Sequence, residues 1–131
     1  MNLAWAKEWI GEFGVPEKIR SKYADRVDFE DVTFGHKETT GDGVKNFFAS
    51  FSQDGGEHSF IVRNYIGGPE GGAVEWTWHA KHASDLMGAA AKGKETHVNG
   101  VSVMRFGGGK IVEQRDYWDA ATMLRQLGAL K

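Results

Sequence analysis

Several features that would narrow the function are missing from this sequence. It contains no cysteine, which excludes disulfide bonds and thiolate metal sites. Its 16 basic and 18 acidic residues nearly balance and no block of basic residues occurs, which disfavours binding to nucleic acid or to an anionic membrane. No apolar run reaches the roughly 18 residues that cross a membrane, and the charged N-terminal segment lacks the apolar region of a signal peptide. We therefore expect a cytoplasmic protein without nucleic-acid or membrane partners.

The residues that are present favour one compact domain. The chain has 131 residues, of which 40% are hydrophobic, and its 5 Trp, 3 Tyr and 8 Phe supply material for a core. There are 18 glycines but only 2 prolines, and the glycine clusters fall between segments of strand-like alternation. Neither an internal repeat nor a linker is visible. We expect residues 1–131 to form a single domain.

Hydrophobic periodicity predicts an α+β fold. Two helices come first, a strand and a third helix follow, and four strands and a last helix complete the order. The predicted helices cover 3–13, 16–23, 41–52 and 119–130, and the predicted strands cover 27–32, 58–66, 73–82, 94–106 and 110–118. Residues 89–91 are predicted to form a crossover with a possible helical turn. Short turns between consecutive strands indicate a mainly antiparallel sheet with the helices on one face.

Alternation within the strands predicts which side chains face inward. In 73–82 the inward set is apolar and consists of Val74, Trp76, Trp78 and Ala80. In 27–32 the inward set includes Asp31 together with Val27 and Phe29. The pattern in 110–118 leaves both choices open. The strand 94–106 is apolar on both faces, which indicates that something covers its back, and a second subunit is a common cover.

Asp31 is the residue in this pattern with the clearest chemical meaning. Burial raises the pKa of an unpaired carboxylate, and a carboxylate with a raised pKa in an apolar pocket is a candidate general base. An alternative is that Asp31 only ends its strand and accepts hydrogen bonds from turn amides. The sequence pattern does not choose between these two interpretations.

Two long segments carry a resemblance to a known superfamily. They are YADRVDFEDVTFGHKETTGDGVKNFFASF at 23–51 and GVSVMRFGGGKIVEQRDYWDAATMLRQLG at 100–128. The first resembles the nuclear transport factor 2-like superfamily, and the second is similar to its SnoaL-like polyketide cyclase and limonene epoxide hydrolase branches. The resemblance implies a cone-shaped, curved antiparallel or mixed sheet with N-terminal helices on its concave face, enclosing a pocket. It also implies a homodimer.

The resemblance also implies roles for two carboxylates. Asp31 falls where ketosteroid isomerases carry the carboxylate that moves a proton between substrate carbons. Asp116 falls where limonene epoxide hydrolases carry a catalytic aspartate, and SnoaL-like cyclases carry their acid/base aspartate in the same region. The chain departs from both patterns, because Ser102 stands at the second aspartate position of the isomerases. Trp76 and Trp78 stand where the hydrolases carry an arginine and a second aspartate.

These features together predict a closed apolar pocket containing Asp31 and Asp116 as an acid and a base. We expect the pocket to be lined by Phe29, Trp76, Trp78, Ser102, Met104 and Trp118. The predicted function is cofactor-independent isomerisation, cyclisation or dehydration of a small hydrophobic carbonyl compound. The histidine spacing matches no metal-binding pattern, so we expect neither a metal nor a cofactor.

Two other functions stay open at this stage. The chain could be a non-catalytic protein that binds a small hydrophobic molecule or serves as an assembly module. Neutralisation of both aspartates by arginine would favour this function. For Asp116 the candidate arginine partners are Arg63, Arg105 and Arg115. An epoxide hydrolase is the weaker alternative.

Overall fold

The structure is a computed structural model that describes residues 1–12, 14–52 and 55–129. Its helices are α1 (Leu3–Gly11), α2 (Pro16–Ser21), α3 (Gly41–Ser52) and α4 (Ala120–Gln126). Its strands are β1 (Tyr23–Asp31), β2 (His36–Thr40), β3 (Glu57–Gly67), β4 (Gly71–Lys81), β5 (Glu95–Gly107) and β6 (Lys110–Trp118). The predicted α+β class is confirmed. The predicted ends of the first and last helices, Phe13 and Leu130, lie outside the described residues.

The six strands form one curved, open sheet in the order β2-β1-β6-β5-β4-β3. Neighbouring strands are antiparallel, apart from β1 and β6, which pair in parallel. The sheet is therefore mixed. This parallel pair joins the first strand of the chain to the last, and it places the end of β1 beside the end of β6.

The sequence pattern misses the whole of β2 and the first half of β1. The strand β2 has the sequence HKETT, lies at the edge of the sheet and contains no apolar residue. Hydrophobic alternation cannot reveal such a strand, because no face of it enters the core. The residues 89–91, predicted as a crossover with a helical turn, lie in a loop whose one bridge joins Leu86 to Ala89.

A register shift in β6 explains why its inward face was ambiguous. The β5–β6 pairing runs from Arg105–Glu113 to Phe106–Ile111, so Val112 is left as an extra residue. Such a bulge reverses the alternation of side chains along the strand. Ile111 therefore enters the core on one side of the bulge, and Gln114, Asp116 and Trp118 enter it on the other.

The helices cover the inner face of the sheet and complete the core. The helix α1 packs against β3 through its buried side chains Ala6, Trp9 and Ile10. The helix α3 packs against β1 and β2. The inward set predicted for β4 is confirmed, since Val74, Trp76, Trp78 and Ala80 are all buried. The core between helices and sheet is thus rich in aromatic rings, and two carboxylates enter it from β1 and β6.

Candidate active site

The parallel pairing of β1 and β6 brings the two predicted carboxylates together. Asp31 and Asp116 are register partners in this pair, and adjacent strands lie about 4.8 Å apart. Asp31 is 5% exposed and Asp116 is 6% exposed. Both side chains line the same cavity under the aromatic core. Residues from distant parts of the chain therefore share one buried site.

Asp116 is the more strongly perturbed of the two carboxylates. Ser102 Oγ donates to its Oδ1 at 2.6 Å, and Gln114 Nε2 donates to the same oxygen at 2.8 Å. Burial raises the pKa of Asp116 to about 7, and the charge of Asp31 acts in the same direction, although both hydrogen bonds lower it. At neutral pH this carboxyl group can thus either hold or release a proton.

Asp31 lies at the end of β1 and accepts hydrogen bonds from two directions. The backbone N–H of Phe34 donates to Oδ1 at 3.0 Å, and Trp118 Nε1 donates to Oδ1 at 3.1 Å. Burial raises the pKa of Asp31, and these hydrogen bonds partly offset the effect. The two interpretations of Asp31 are compatible in this geometry, because the carboxylate accepts a turn amide and also lines the cavity.

No arginine or lysine among the described residues pairs with either aspartate of the site. The side chain of Arg115 points away from its neighbour Asp116 and pairs with Asp28 at 2.8 Å and with Glu30 at 3.7 Å. Arg105 contacts Glu113 at 3.5 Å. Asp31 and Asp116 form no ion pair in the part of the chain that the structure describes. Burial raises both pKa values, and the charge of His36 is one of the weaker effects that lower the pKa of Asp31.

The space beside the carboxylates consists of two small cavities. One of about 40 Å³ contacts both aspartates, and one of about 30 Å³ contacts Asp116 from the side of α1. Of the predicted pocket residues, Trp76, Trp78, Trp118 and Ser102 line one or both cavities. Phe29 and Met104 are buried in the core and are not among the residues that line them.

Four further aromatic side chains line the larger of these two cavities, and the sequence pattern did not predict them as pocket residues. They are Phe34, Phe47, Phe48 and Phe60. Phe34, Phe47 and Phe60 are partly buried. A cavity needs about 10–15 Å³ to hold one water, so each of these cavities is large enough for only a few water molecules. A ligand larger than that requires these rings to move. Gln114 was also missed, although its position two residues before Asp116 places it on the same face of β6.

Other kinds of site find no support in the described residues. Within 1–12, 14–52 and 55–129, no three histidine, aspartate or glutamate side chains are placed to hold a metal ion. Among the described helices, none has the length and apolar character to span a bilayer.

Comparison with known proteins identifies the family of the chain. The sequence model of the SnoaL-like polyketide cyclase family matches residues 4–127. No curated protein matches the chain. A protein from Shewanella putrefaciens CN-32, named as a SnoaL-like polyketide cyclase, superimposes with a TM-score of 0.80 at 19% identity, covering 94% of this chain and 93% of its own.

Two other solved structures share the fold at lower identity. One is a protein of ketosteroid isomerase-like fold from Catenulispora acidiphila DSM 44928, solved with trimethylamine, with a TM-score of 0.80, 15% identity and coverage of 100% and 96%. The other is a LEH-like epoxide hydrolase from M. tuberculosis, with a TM-score of 0.72, 14% identity and coverage of 93% and 85%. The match of the family model over nearly the whole sequence shows that the chain belongs to the SnoaL-like polyketide cyclase family.

Proposed function

We propose that the protein is a cofactor-independent acid/base enzyme of the isomerase, cyclase or dehydratase type. Its substrate is a small hydrophobic carbonyl compound that binds between Asp31 and Asp116. The observation that carries this proposal is the pair of buried carboxylates that line one aromatic cavity and form no ion pair with any described residue. The pKa of one of them, Asp116, is raised to about 7, which suits proton transfer at neutral pH.

The two carboxylates suit opposite halves of an enolisation. Asp31, as a carboxylate, removes a proton from the carbon next to the substrate carbonyl. Asp116, as a carboxylic acid, donates its proton to the carbonyl oxygen as negative charge develops there. The product is an enol, and the two groups have exchanged protonation states. Return of a proton to another carbon gives an isomer, attack of the enol on a second carbonyl gives a ring, and loss of a β-hydroxyl group gives a dehydrated product.

The cavity walls favour a flat, largely apolar substrate. Trp76, Trp78 and Trp118 supply large surfaces for stacking and for apolar burial. Trp118 also donates to Asp31, so one ring both fixes the base and forms a wall. The lining contains few polar groups besides the two aspartates. The two aspartates therefore fix the orientation of a bound carbonyl.

Binding without catalysis is the second candidate function. It is favoured by the hydrogen bond from the Phe34 amide to Asp31, which gives that carboxylate a structural role independent of any substrate. An epoxide hydrolase has less support. The positions that supply an arginine and an aspartate in the hydrolases hold Trp76 and Trp78, and both indoles lie in the core.

A hydrogen-exchange assay tests the enzyme proposal without knowledge of the natural product. A panel of small aromatic and alicyclic ketones is incubated with the protein in D₂O, and loss of the α-proton signals is followed by NMR. We expect protein-dependent exchange for some members of the panel and a large loss of exchange in Asp31→Asn. In Asp116→Asn we expect a loss of roughly 10²–10⁴-fold, the usual contribution of a general acid.

Asp28→Asn is the matched control. It removes an exposed carboxylate from the same strand as Asp31, on the opposite face, and should leave exchange unchanged. Ketones that bind without exchange, and equally well to both site variants, would support the binding function and overturn the enzyme proposal.

We further propose that a second copy of the chain covers the outer face of the sheet. The outer apolar patch comprises Ile66, Val101, Val103 and Tyr117. Ile66 and Val103 flank Ala73 in one cross-strand row, and Val101 pairs with Tyr117 in the next. Ile66 is 67% exposed, and Val103 and Tyr117 are each 45% exposed. Contiguous apolar surface of this kind on an antiparallel sheet suits a symmetric contact.

A further inference from the structure

We infer that Tyr23 and Gln114 are positioning residues that hold Asp116 with Oδ1 as a permanent acceptor and Oδ2 presented to the cavity. Neither residue lines the cavities, so neither touches substrate. They act on Asp116 through a buried series of hydrogen bonds in which each donor and each acceptor is fixed. The inference rests on the proposed acid role of Asp116.

This series of hydrogen bonds starts at Trp9 in α1 and ends at Asp116. Trp9 Nε1 donates to Tyr23 Oη at 3.2 Å, Tyr23 Oη donates to Gln114 Oε1 at 2.6 Å, and Gln114 Nε2 donates to Asp116 Oδ1 at 2.8 Å. Tyr23 is 1% exposed and Gln114 is fully buried. Bulk water therefore does not reach the Tyr23 hydroxyl or the Gln114 amide, the two middle groups of these hydrogen bonds.

The tryptophan at the start fixes the direction of every later hydrogen bond. An indole N–H can only donate, so Tyr23 Oη must accept from Trp9. The single proton of Tyr23 is then available for Gln114, and it requires an oxygen there. The amide of Gln114 must present Oε1 to Tyr23, which leaves its N–H groups facing Asp116. The reverse orientation of the amide would leave the buried tyrosine proton without an acceptor.

A second set of donors reaches the same oxygen from β5. Trp76 Nε1 donates to Ser102 Oγ at 2.9 Å, and Ser102 Oγ donates to Asp116 Oδ1 at 2.6 Å. Because Trp76 can only donate, the proton of Ser102 is available for Asp116. Oδ1 thus receives two donors, and within the described residues no hydrogen bond reaches Oδ2. A proton on Asp116 must therefore reside on Oδ2.

Removal of the Tyr23 hydroxyl should release this constraint. In Tyr23→Phe the Gln114 amide can rotate, so that Oε1 accepts a proton carried on Oδ1 of Asp116. The protonated acid then gains a partner that it lacks in the wild type. We expect the pKa of Asp116 to rise by roughly one pH unit, the size of effect expected for a hydrogen bond to a charged group, and the acid proton to leave the cavity side.

The test is a carboxyl ¹³C NMR titration of the ligand-free protein. The variants are Tyr23→Phe, Gln114→Met and the double variant, with Tyr117→Phe as the matched control. Tyr117 is next to Asp116 in sequence, but its ring is 45% exposed on the outer face of the sheet. We expect the pKa of Asp116 to rise in Tyr23→Phe and in Gln114→Met, and to be unchanged in Tyr117→Phe. In the Gln114→Met background, Tyr23→Phe should cause no further change, since it acts through the amide.

Two results would overturn the inference. One is an unchanged Asp116 pKa in Tyr23→Phe, and the other is a shift of equal size when Gln114 is already absent. If Tyr23→Phe does not fold, the wild-type protein carries the test, because the Gln114 amide protons should keep their contacts to Asp116 on both sides of its titration. A flip of the amide at low pH would contradict the inference. These measurements need no substrate, so their failure is separate from failure of the exchange assay.

Discussion

Asp116 links the stability of the protein to pH at the scale of a single residue. Its pKa is about 7 in the folded state, against 3.8 for an ordinary aspartate. A group with a raised folded pKa stabilises the fold at low pH, and that contribution is lost as pH rises from about 4 to about 7. The loss is of the order of 4 kcal/mol in the free energy of unfolding, at 1.36 kcal/mol per pH unit. The candidate acid therefore destabilises the protein at neutral pH.

Asp116→Asn should remove this dependence, because asparagine stays neutral. We expect the variant to match the wild type near pH 3, below the unfolded pKa, and to be several kcal/mol more stable at pH 8. Urea unfolding at a series of pH values measures the difference. Asp28→Asn is the control, since its carboxylate has a lowered pKa beside Arg115 and stays ionised over the pH range in which the contribution of Asp116 is lost. Parallel curves for the wild type and Asp116→Asn would contradict the prediction.

Trp118 should tune the other carboxylate. Its indole N–H donates to Asp31, which favours the ionised form and lowers the pKa of that group. Trp118→Phe removes the donor but keeps an aromatic ring in the wall. We expect the pKa of Asp31 to rise, as observed by ¹³C NMR. Trp5→Phe, which changes a tryptophan that makes no contact with Asp31, should leave it unchanged, and a rise in both variants would point to a general change in packing.

At the scale of the strand, the contact between Gly100 and Trp76 shapes the cavity wall. These residues are register partners in β4 and β5, and the indole lies across the glycine. A Cβ at position 100 would come within 3.0 Å of three ring atoms. Real side chains avoid such distances, so the ring must move in any larger variant. Trp76 can therefore occupy this position, from which its Nε1 donates to Ser102, only because residue 100 is a glycine.

Gly100→Ala should displace this ring. We expect a loss of roughly 1–3 kcal/mol in the free energy of unfolding, typical of overpacking in a core, together with a change in the near-ultraviolet circular dichroism of the tryptophans. Gly108→Ala is unsuitable as a control because of its positive φ. Gly11→Ala, where a Cβ meets nothing within 4 Å, is a suitable one. Equal stability of Gly100→Ala and the wild type would show that Trp76 adapts freely.

The strands also differ in how well the sequence predicts which of their side chains face the core. The inward face of β4 was predicted correctly because its alternation is uninterrupted, and Asp31 was correctly predicted to be buried with Phe29 for the same reason. The inward face of β6 could not be predicted, because the bulge at Val112 depends on pairing with β5. Gln114 and Tyr23 escaped notice because their importance lies in the direction of hydrogen bonds, which only the folded chain defines.

At the scale of the whole molecule, the outer apolar patch should control oligomeric state. Val103→Lys places a charge at its centre, next to Ala73 and Arg115 in the ladder. If a second copy covers this face, we expect the wild type to have twice the monomer mass in light scattering and Val103→Lys to be monomeric. Met87→Lys, which changes a similarly exposed apolar residue outside the sheet, should leave the mass unchanged. A monomeric wild type would refute the dimer proposal.

The parallel pairing of β1 with β6 also has a consequence for biosynthesis. The strand β1 and its carboxylate are translated before β3, β4 and β5, and the neighbouring carboxylate appears only when β6 is translated. Until then β1 has only β2 beside it and its other edge is unpaired. Such long-range contacts form slowly. A nascent chain therefore contains the other five described strands of the sheet before it contains the pair of carboxylates.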